Sequence, residues 1–264
     1  MACIITTTPD QCTVGNRFRA RRRRLPTQPD QWCHEPANTP TPTPPQNYQI
    51  KPASPALQTG DTLYASLHNC WLFQGDGTDL KGNNDWTVNN TGGESITFQT
   101  VGDDGQVCDR NSDANGRNLT CSPITSTTKF SIALRLYLRA TTSFGTLLSV
   151  SGGNGLYSTT DPDGFKLLYY PASNQSNAIT KNAWHDIVFT FDTPNWKTYV
   201  DGVLNKSGTT SFISSAWTSS LSDPLSERID GQIAQMLVWL GRELTLAEAN
   251  DLHTARYRLV TPPA

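Results

Sequence analysis

The side chains best equipped for chemistry in this 264-residue chain are its carboxylates, and their placement argues against catalysis. There are five glutamates: Glu35, Glu94, Glu227, Glu243 and Glu248. Glycoside cleavage needs two carboxyl groups flanking one bond, about 5 Å apart when the second is a nucleophile. A strand provides such a pair when acids sit two or four positions apart on one face. None of the five has that partner on an expected strand. His185-Asp186 has the residue types of a general-base dyad, but adjacent strand residues point to opposite faces. Gly-x-Ser-x-Gly, Walker and His-Glu-x-x-His patterns do not occur. A non-enzymatic protein is expected.

Binding chemistry has more to work with. Asp109-Arg-Asn111-Ser-Asp113-Ala-Asn115-Gly116 sets oxygen side chains at alternate positions, as a loop around a hard cation would. Its glycine comes eighth rather than sixth, and Thr120 stands where an EF-hand has its bidentate glutamate. A turn-rich connector is therefore the favoured reading, with calcium at Asp109, Asn111 and Asp113 the alternative and no cofactor otherwise expected. Sugars stack their C–H faces on exposed rings, and Trp86, Tyr157, Tyr170 and Trp217 are the candidates from loops and outward strand positions. Their commoner fate is burial, because aromatic residues dominate sandwich cores. Of six cysteines, Cys108 and Cys121 bracket a short polar loop and form the best local disulfide pair; free buried thiols are the competing reading. Cys3, Cys12, Cys33 and His34 lack the spacing of zinc ligands.

These residues must be carried on strands. In 184–202, Ile187, Phe189 and Phe191 alternate with Val188 and Thr190, the period of a strand. Asp192-Thr-Pro-Asn195 is turn chemistry, and Trp196, Thr198 and Val200 alternate against Lys197 and Tyr199 in a second strand. Asp201-Gly202 favours a type I′ hairpin turn, where both central residues need positive φ, and Val203-Leu204-Asn205 begins the return. Further strands are expected over 62–74, 95–101, 130–139, 145–151, 164–170 and 231–240. The clearest sets Phe130, Ile132, Leu134, Leu136 and Leu138 against a core and turns Ser131, Arg135, Tyr137 and Arg139 outward. One helix is expected from Thr245, where Thr245-Leu-Ala-Glu248 reads as a capping box and Leu244 can staple onto Ala249. Strands joined by turns with no interleaved helices give an all-β protein, a two-sheet jelly-roll β-sandwich with one short C-terminal helix lying against its edge.

The 184–204 hairpin resembles the central hairpin of laminin-G-like, concanavalin A-like lectin/glucanase domains. Cys70-Trp-Leu-Phe-Gln-Gly-Asp-Gly77 with Lys81-Gly-Asn-Asn84 resembles the family's opening strand and Gly/Asn-rich turn. Ile229-Asp-Gly-Gln-Ile233, Val238-Trp239 and Leu244–Ala249 resemble its closing strand and terminal helix. The resemblance spans roughly residues 61–257 and implies the sandwich fold. The family often carries an acidic pair in the closing strand, and here those positions read Ala234-Gln235, which weakens any calcium site nearby.

Charge divides the chain. Residues 1–60 carry seven Lys/Arg against three Asp/Glu, whereas 61–264 carry fourteen against twenty. Residues 1–36 read as an extended basic arm in which Arg17, Arg19, Arg21, Arg22, Arg23 and Arg24 are candidate anchor residues for a partner. Residues 37–60 read as a proline-rich linker whose Thr-Pro run favours polyproline II, a semi-rigid spacer of ~3.1 Å per residue. Residues 61–264 are the expected sandwich. No apolar run approaches a membrane span, and the N-terminus lacks the n- and h-regions of a secretory signal. Such an architecture suggests a phage virion structural protein: a capsid decoration, head fibre or tail protein, homo-oligomeric within an assembly. Capsid or tail proteins would bind residues 1–36, and the sandwich would adhere weakly to host-surface glycans. The alternative is a soluble extracellular carbohydrate-binding module. Nucleic acid is disfavoured because the basic cluster is short and the domain acidic.

Overall fold

The computed structural model describes residues 50–90, 96–110, 117–125, 127–141, 145–149, 155–170, 174–210, 216–220 and 229–261. Arg17, Arg19 and Arg21–Arg24, the candidate anchor residues, fall outside them. Two antiparallel sheets form a jelly-roll-like sandwich. One has the order β11-β10-β9-β8-β15-β6-β3, made of Asn174–Gln175, Gly164–Tyr170, Gly155–Asp161, Gly145–Ser149, Ala216–Ser220, Arg117–Thr125 and Thr87–Asn90. The other has the order β14-β13-β12-β7-β16-β5-β4: Val203–Thr209, Asn195–Val200, Trp184–Asp192, Lys129–Thr141, Ile229–Leu240, Gln106–Arg110 and Thr97–Thr100. The long β16 also takes β2, Leu67–Trp71, along the edge that it shares with β5.

The hairpin forms where the alternation places it. Ile187, Phe189 and Phe191 pair with Val200, Thr198 and Trp196, and Asp192 meets Asn195 across the turn. At the next turn Asp201 has φ 50° and Gly202 φ 76°, the left-handed pair that the dipeptide favours. A Cβ on Gly202 would also lie 2.9 Å from the Asn250 side chain, so the turn packs tightly on the helix. Inside the sandwich, Phe130 stacks on Phe191 with centroids 5.6 Å apart, and Tyr169 from the opposite sheet stacks on Phe189 at 5.4 Å. Leu134, Leu136, Ile187, Leu156 and Leu167 belong to the same apolar cluster.

The outer face of β7 and β12 departs from expectation. Ser131, Ala133 and Arg135 are buried, as is Val188. A second apolar cluster covers this face, with Leu63, Val188, Tyr199, Leu237, Trp239, Leu244, Leu252, Tyr257 and Val260 among its members. The covering comes from segments distant in sequence: the start of the domain, and α1 (Leu246–Thr254) with the chain after it. Ser131 shows how a residue read as outward becomes a dock. Its Oγ donates to Arg242 O at 2.9 Å and accepts from Leu244 N at 2.9 Å, fixing the approach to the helix. Thr245 and Glu248 form the capping box, each side chain accepting from the other's backbone N–H.

The globular part begins before residue 61. Lys51 is already buried, and β1 (Ala56–Leu57) pairs with β17 (Val260–Thr261). The end of the proline-rich linker, from Lys51 onward, is therefore built into the fold.

Candidate functional site

After Trp71 the chain leaves β2 through a turn organised by one buried carboxylate. Asp79 accepts from Asn69 Nδ2 at 2.6 Å, Cys70 N at 2.8 Å, Lys81 N at 3.0 Å, and Asn83 N and Asn84 N at 3.1 Å. Five donors satisfy a charge that would otherwise be costly to bury. Gly77 faces Trp86, whose backbone oxygen would lie 2.2 Å from any Cβ added there, so only glycine allows this close approach. Phe73 and Gly75, either side of Gln74, take positive φ of 52° and 91°.

Between this turn and the incoming chain lies a cleft of about 210 Å³. Pro55, Leu72 and Leu80 supply apolar walls, and Gln74, Asp76 and Thr78 supply polar groups. Asp76 and Thr78 are exposed, and Asp76 Oδ1 accepts from Thr78 N at 3.0 Å. The wall contributed by residues 51–55 is held from below. Lys51 Nζ donates to Leu72 O at 2.7 Å, Gln106 O at 2.6 Å and Ala234 O at 2.7 Å, while Lys51 N donates to Asp103 O at 2.9 Å. Gln74 Nε2 donates to Pro52 O. Burial pulls the Lys51 pKa down to about 7, with nearby Asp104 raising it and Arg135 lowering it. Apolar walls with an amide, a hydroxyl and a carboxylate at the rim suit a small polyol, which presents C–H faces and hydroxyl donors together.

A second polar cluster lies under α1. Arg135 pairs with Asp104 at 3.2 Å and Asp186 at 3.3 Å and stands 5.1 Å from the Trp184 ring centroid. Tyr257 Oη donates to Asp104 at 2.7 Å, and its pKa is raised by burial and by that carboxylate. Asp186 also meets His253 at 2.8 Å and Arg256 at 3.0 Å. His185 and Asp186 point apart: His185 Nδ1 lies 2.8 Å from Asp201, and Nε2 lies 2.9 Å from Thr180 Oγ1. Burial raises the Asp201 pKa, but hydrogen bonds from His185 and Asp186 N outweigh it and the net shift is downward. Asp186, Asp201 and His253 bring ligand atoms within 4.8 Å of one another. Two guanidinium groups already neutralise Asp186, so the cluster acts as an ion-pair lock between sheet and helix rather than a cation site.

The residues singled out in the sequence are scattered. Asp109 is buried and its carboxylate is taken by Arg139, at 2.7 and 3.2 Å, and by Gln99 and Gln232. It is an ion-pair partner rather than an available cation ligand; Asn111 and Asp113 lie outside the described residues. The Cys108–Cys121 disulfide is not formed: both thiols are free, Cys108 buried and Cys121 half-buried. Burial pushes the Cys108 pKa well up and that of Cys121 up to about 12, so neither is a ready nucleophile. Trp86 and Tyr157 are corrected as sugar platforms, since both are buried. Trp86 packs on Trp71 with centroids 5.3 Å apart, and Tyr157 sits in mid-sheet between Thr146 and Leu168. Tyr170 and Trp217 fall on β10 and β15, and their side chains lie outside what is described. Sequence reasoning missed Lys51, Gln74, Asp76 and Thr78. The Gly75-Asp-Gly77 turn signal was visible, but its meeting with the linker was not.

The family description "Concanavalin A-like lectin/glucanases superfamily" matches residues 110–250. No curated protein matches the chain. Among solved structures, it resembles domain 4 of AbnA, a GH43 extracellular arabinanase from Geobacillus stearothermophilus, in complex with arabinotriose. That likeness has TM-score 0.57 and 19% identity, covering 71% of this chain and 98% of that one. The binding domain of Paraclostridial Mosquitocidal Protein 1 has TM-score 0.54 and 13% identity, covering 75% and 54%. Trypanosoma rangeli sialidase has TM-score 0.53 and 15% identity, covering 74% of this chain and only 33% of the sialidase. At these identities the likeness concerns the fold.

Proposed function

Because the chain belongs to the concanavalin A-like lectin/glucanases superfamily, we propose that its sandwich is a non-catalytic carbohydrate-binding module, tethered to a larger assembly by residues 1–36. The observation that carries the binding reading is the cleft beside Asp76, where apolar walls meet hydroxyl-seeking polar groups. Support for a non-catalytic role comes from how the buried and half-buried acids are used. Asp79 collects five donors, and Asp104, Asp109 and Asp186 are locked to arginines. Glu243 pairs with Lys197, and Glu248 caps the helix and meets Arg242. Acids committed in this way are not poised to exchange protons with a substrate.

The finer proposal concerns the tether. Six arginines within residues 17–24 suit bidentate pairing with carboxylates on a partner surface, and the Thr-Pro run is a spacer. A phage virion component of the decoration, head-fibre or tail kind, displaying the module outward, accounts for both features. The full chain should bind neutral glycans on an array and release no sugar from β-glucan, galactan or sialoside. Hydrolysis that vanishes in Glu94→Gln or Glu227→Gln would overturn the non-catalytic reading. Deleting residues 1–36 should abolish incorporation into the parent particle; full occupancy without them would favour the free module.

A further inference from the structure

The last residues of the tether do more than lead into the sandwich, because they form one wall of the cleft. Pro55 lines it directly, Pro52 O accepts from Gln74, another lining residue, and Lys51 ties the same stretch to Leu72, which also lines it. The three carbonyls that hold Lys51 come from the residue just after β2, the start of β5 and the middle of β16. The wall is thus fastened at three separate points by one side chain, and Lys51 N on Asp103 O, Gln74 on Pro52 O and the two-residue β1–β17 pairing hold the same segment. If residues 51–55 lift away, the cleft loses a face.

The size and polarity narrow the occupant. A volume of about 210 Å³ is below the ~300–1,000 Å³ of drug-sized sites, which leaves room for one ring rather than an oligosaccharide chain. Asp76 places a carboxylate at the mouth with Thr78 beside it, and a carboxylate accepts from sugar hydroxyls but repels an anionic sugar. We infer that the cleft is a subsite for a single neutral sugar ring, and that docking of residues 51–55 and occupancy of the cleft strengthen each other. This inference rests on the carbohydrate-binding reading. Coupling follows from linkage: a ligand that touches only the docked arrangement stabilises it, and whatever undocks the wall weakens the ligand by the same factor. A pull on the tether would then loosen the sugar, and a bound sugar would stiffen the junction between anchor and module.

The test titrates the isotope-labelled full chain with arabinose, galactose, glucose, N-acetylglucosamine and N-acetylneuraminic acid, following backbone amides by NMR. At least one neutral sugar should shift residues 51–56 and 72–80, and N-acetylneuraminic acid should not. Asp76 is exposed, so Asp76→Ala should keep the fold while weakening binding tenfold or more. Lys51→Met should weaken binding at least fivefold, the lower end of ordinary coupling. Bound sugar should in turn slow hydrogen exchange at 51–57 in the wild type by a similar factor. Should Lys51→Met not fold, Gln74→Ala serves as a second probe of the wall, read first by faster hydrogen exchange at 51–57 without sugar because Gln74 itself lines the cleft. Neutral sugars that bind but shift only other residues would overturn the cleft assignment and leave the carbohydrate reading standing. Binding at the cleft that ignores Lys51→Met and Gln74→Ala and leaves exchange at 51–57 unchanged would overturn the coupling alone. A titration in which no sugar shifts any residue would sink both.

Discussion

The inner and outer faces of the eight-stranded sheet start from the same strands and are held by different physics. Toward the sandwich, β7 presents Phe130, Ile132, Leu134, Leu136 and Leu138, all buried in one apolar cluster. One residue along, Ser131, Ala133 and Arg135 are also buried, but against a mixed layer of helix, distant chain segments and ion pairs. The inner face needs only shape and apolarity, which period-two alternation encodes locally. The outer face needs specific partners from Asp104, Asp186, Tyr257 and Arg242, and these are far away in sequence. Burial alone therefore does not distinguish a face that a strand pattern announces from one assembled by long-range pairing.

Substitutions on the two faces should separate these contributions. The largest loss is expected inside, where Phe130 has no exposed surface and packs on Phe189, Phe191 and Tyr169. Phe130→Ala should destabilise by about 3–5 kcal/mol in denaturant unfolding. On the outer face, Arg135→Met should cost about 3 kcal/mol, the low end for breaking a buried pair because Asp186 keeps Arg256. The double variant Arg135→Met/Asp104→Leu should recover part of that loss, since it removes the stranded charge as well. No second substitution of that kind restores Phe130→Ala. Equal, unrecoverable losses on the two faces would break the distinction.

Lys51→Met should cost about 1–3 kcal/mol by leaving three carbonyls without their donor. Its pH signature is more telling. Folded Lys51 titrates at about 7 against 10.5 for the free side chain. Between those values the unfolded chain therefore binds more protons, and stability rises with pH. The contribution is complete above pH 10.5 and is lost as pH falls through 7. Denaturation midpoints measured from pH 6 to 10 should show that rise in the wild type, and the Lys51→Met profile should lack it. The smallest effect is expected where the covering helix begins: Thr245→Ala removes its N-cap and should cost about 1 kcal/mol by the same measurement.

The parts legible in the sequence share one property: their information is local. The 184–204 hairpin, the β7 alternation, the Asp201-Gly202 turn and the Thr245 capping box all depend on residues within a few positions of each other. Where contacts cross the chain, reading failed. Cys108 and Cys121 look like partners because only thirteen positions separate them, yet both thiols are free. Trp86 sits in a polar, Asn-rich stretch that reads as an exposed loop, and Gly77 instead lets it close onto Trp71 in the core. Lys51 lies in what reads as a proline spacer, and nothing nearby shows that Leu72, Gln106 and Ala234 converge on its amine.

By itself, then, the sequence determined a β-sandwich, its central meander and a capped helix near its C-terminal end. Periodicity, turn chemistry and capping act over one or two turns of chain and survive translation into structure without knowledge of the rest. Only the tertiary structure decided that the outer sheet face is covered, that its charges pair beneath the helix, and that the end of the spacer closes a cleft with Asp76. Those outcomes depend on which distant groups meet. An unpaired buried charge or carbonyl is costly enough that the fold must supply a partner, but the partner's position in the chain is free.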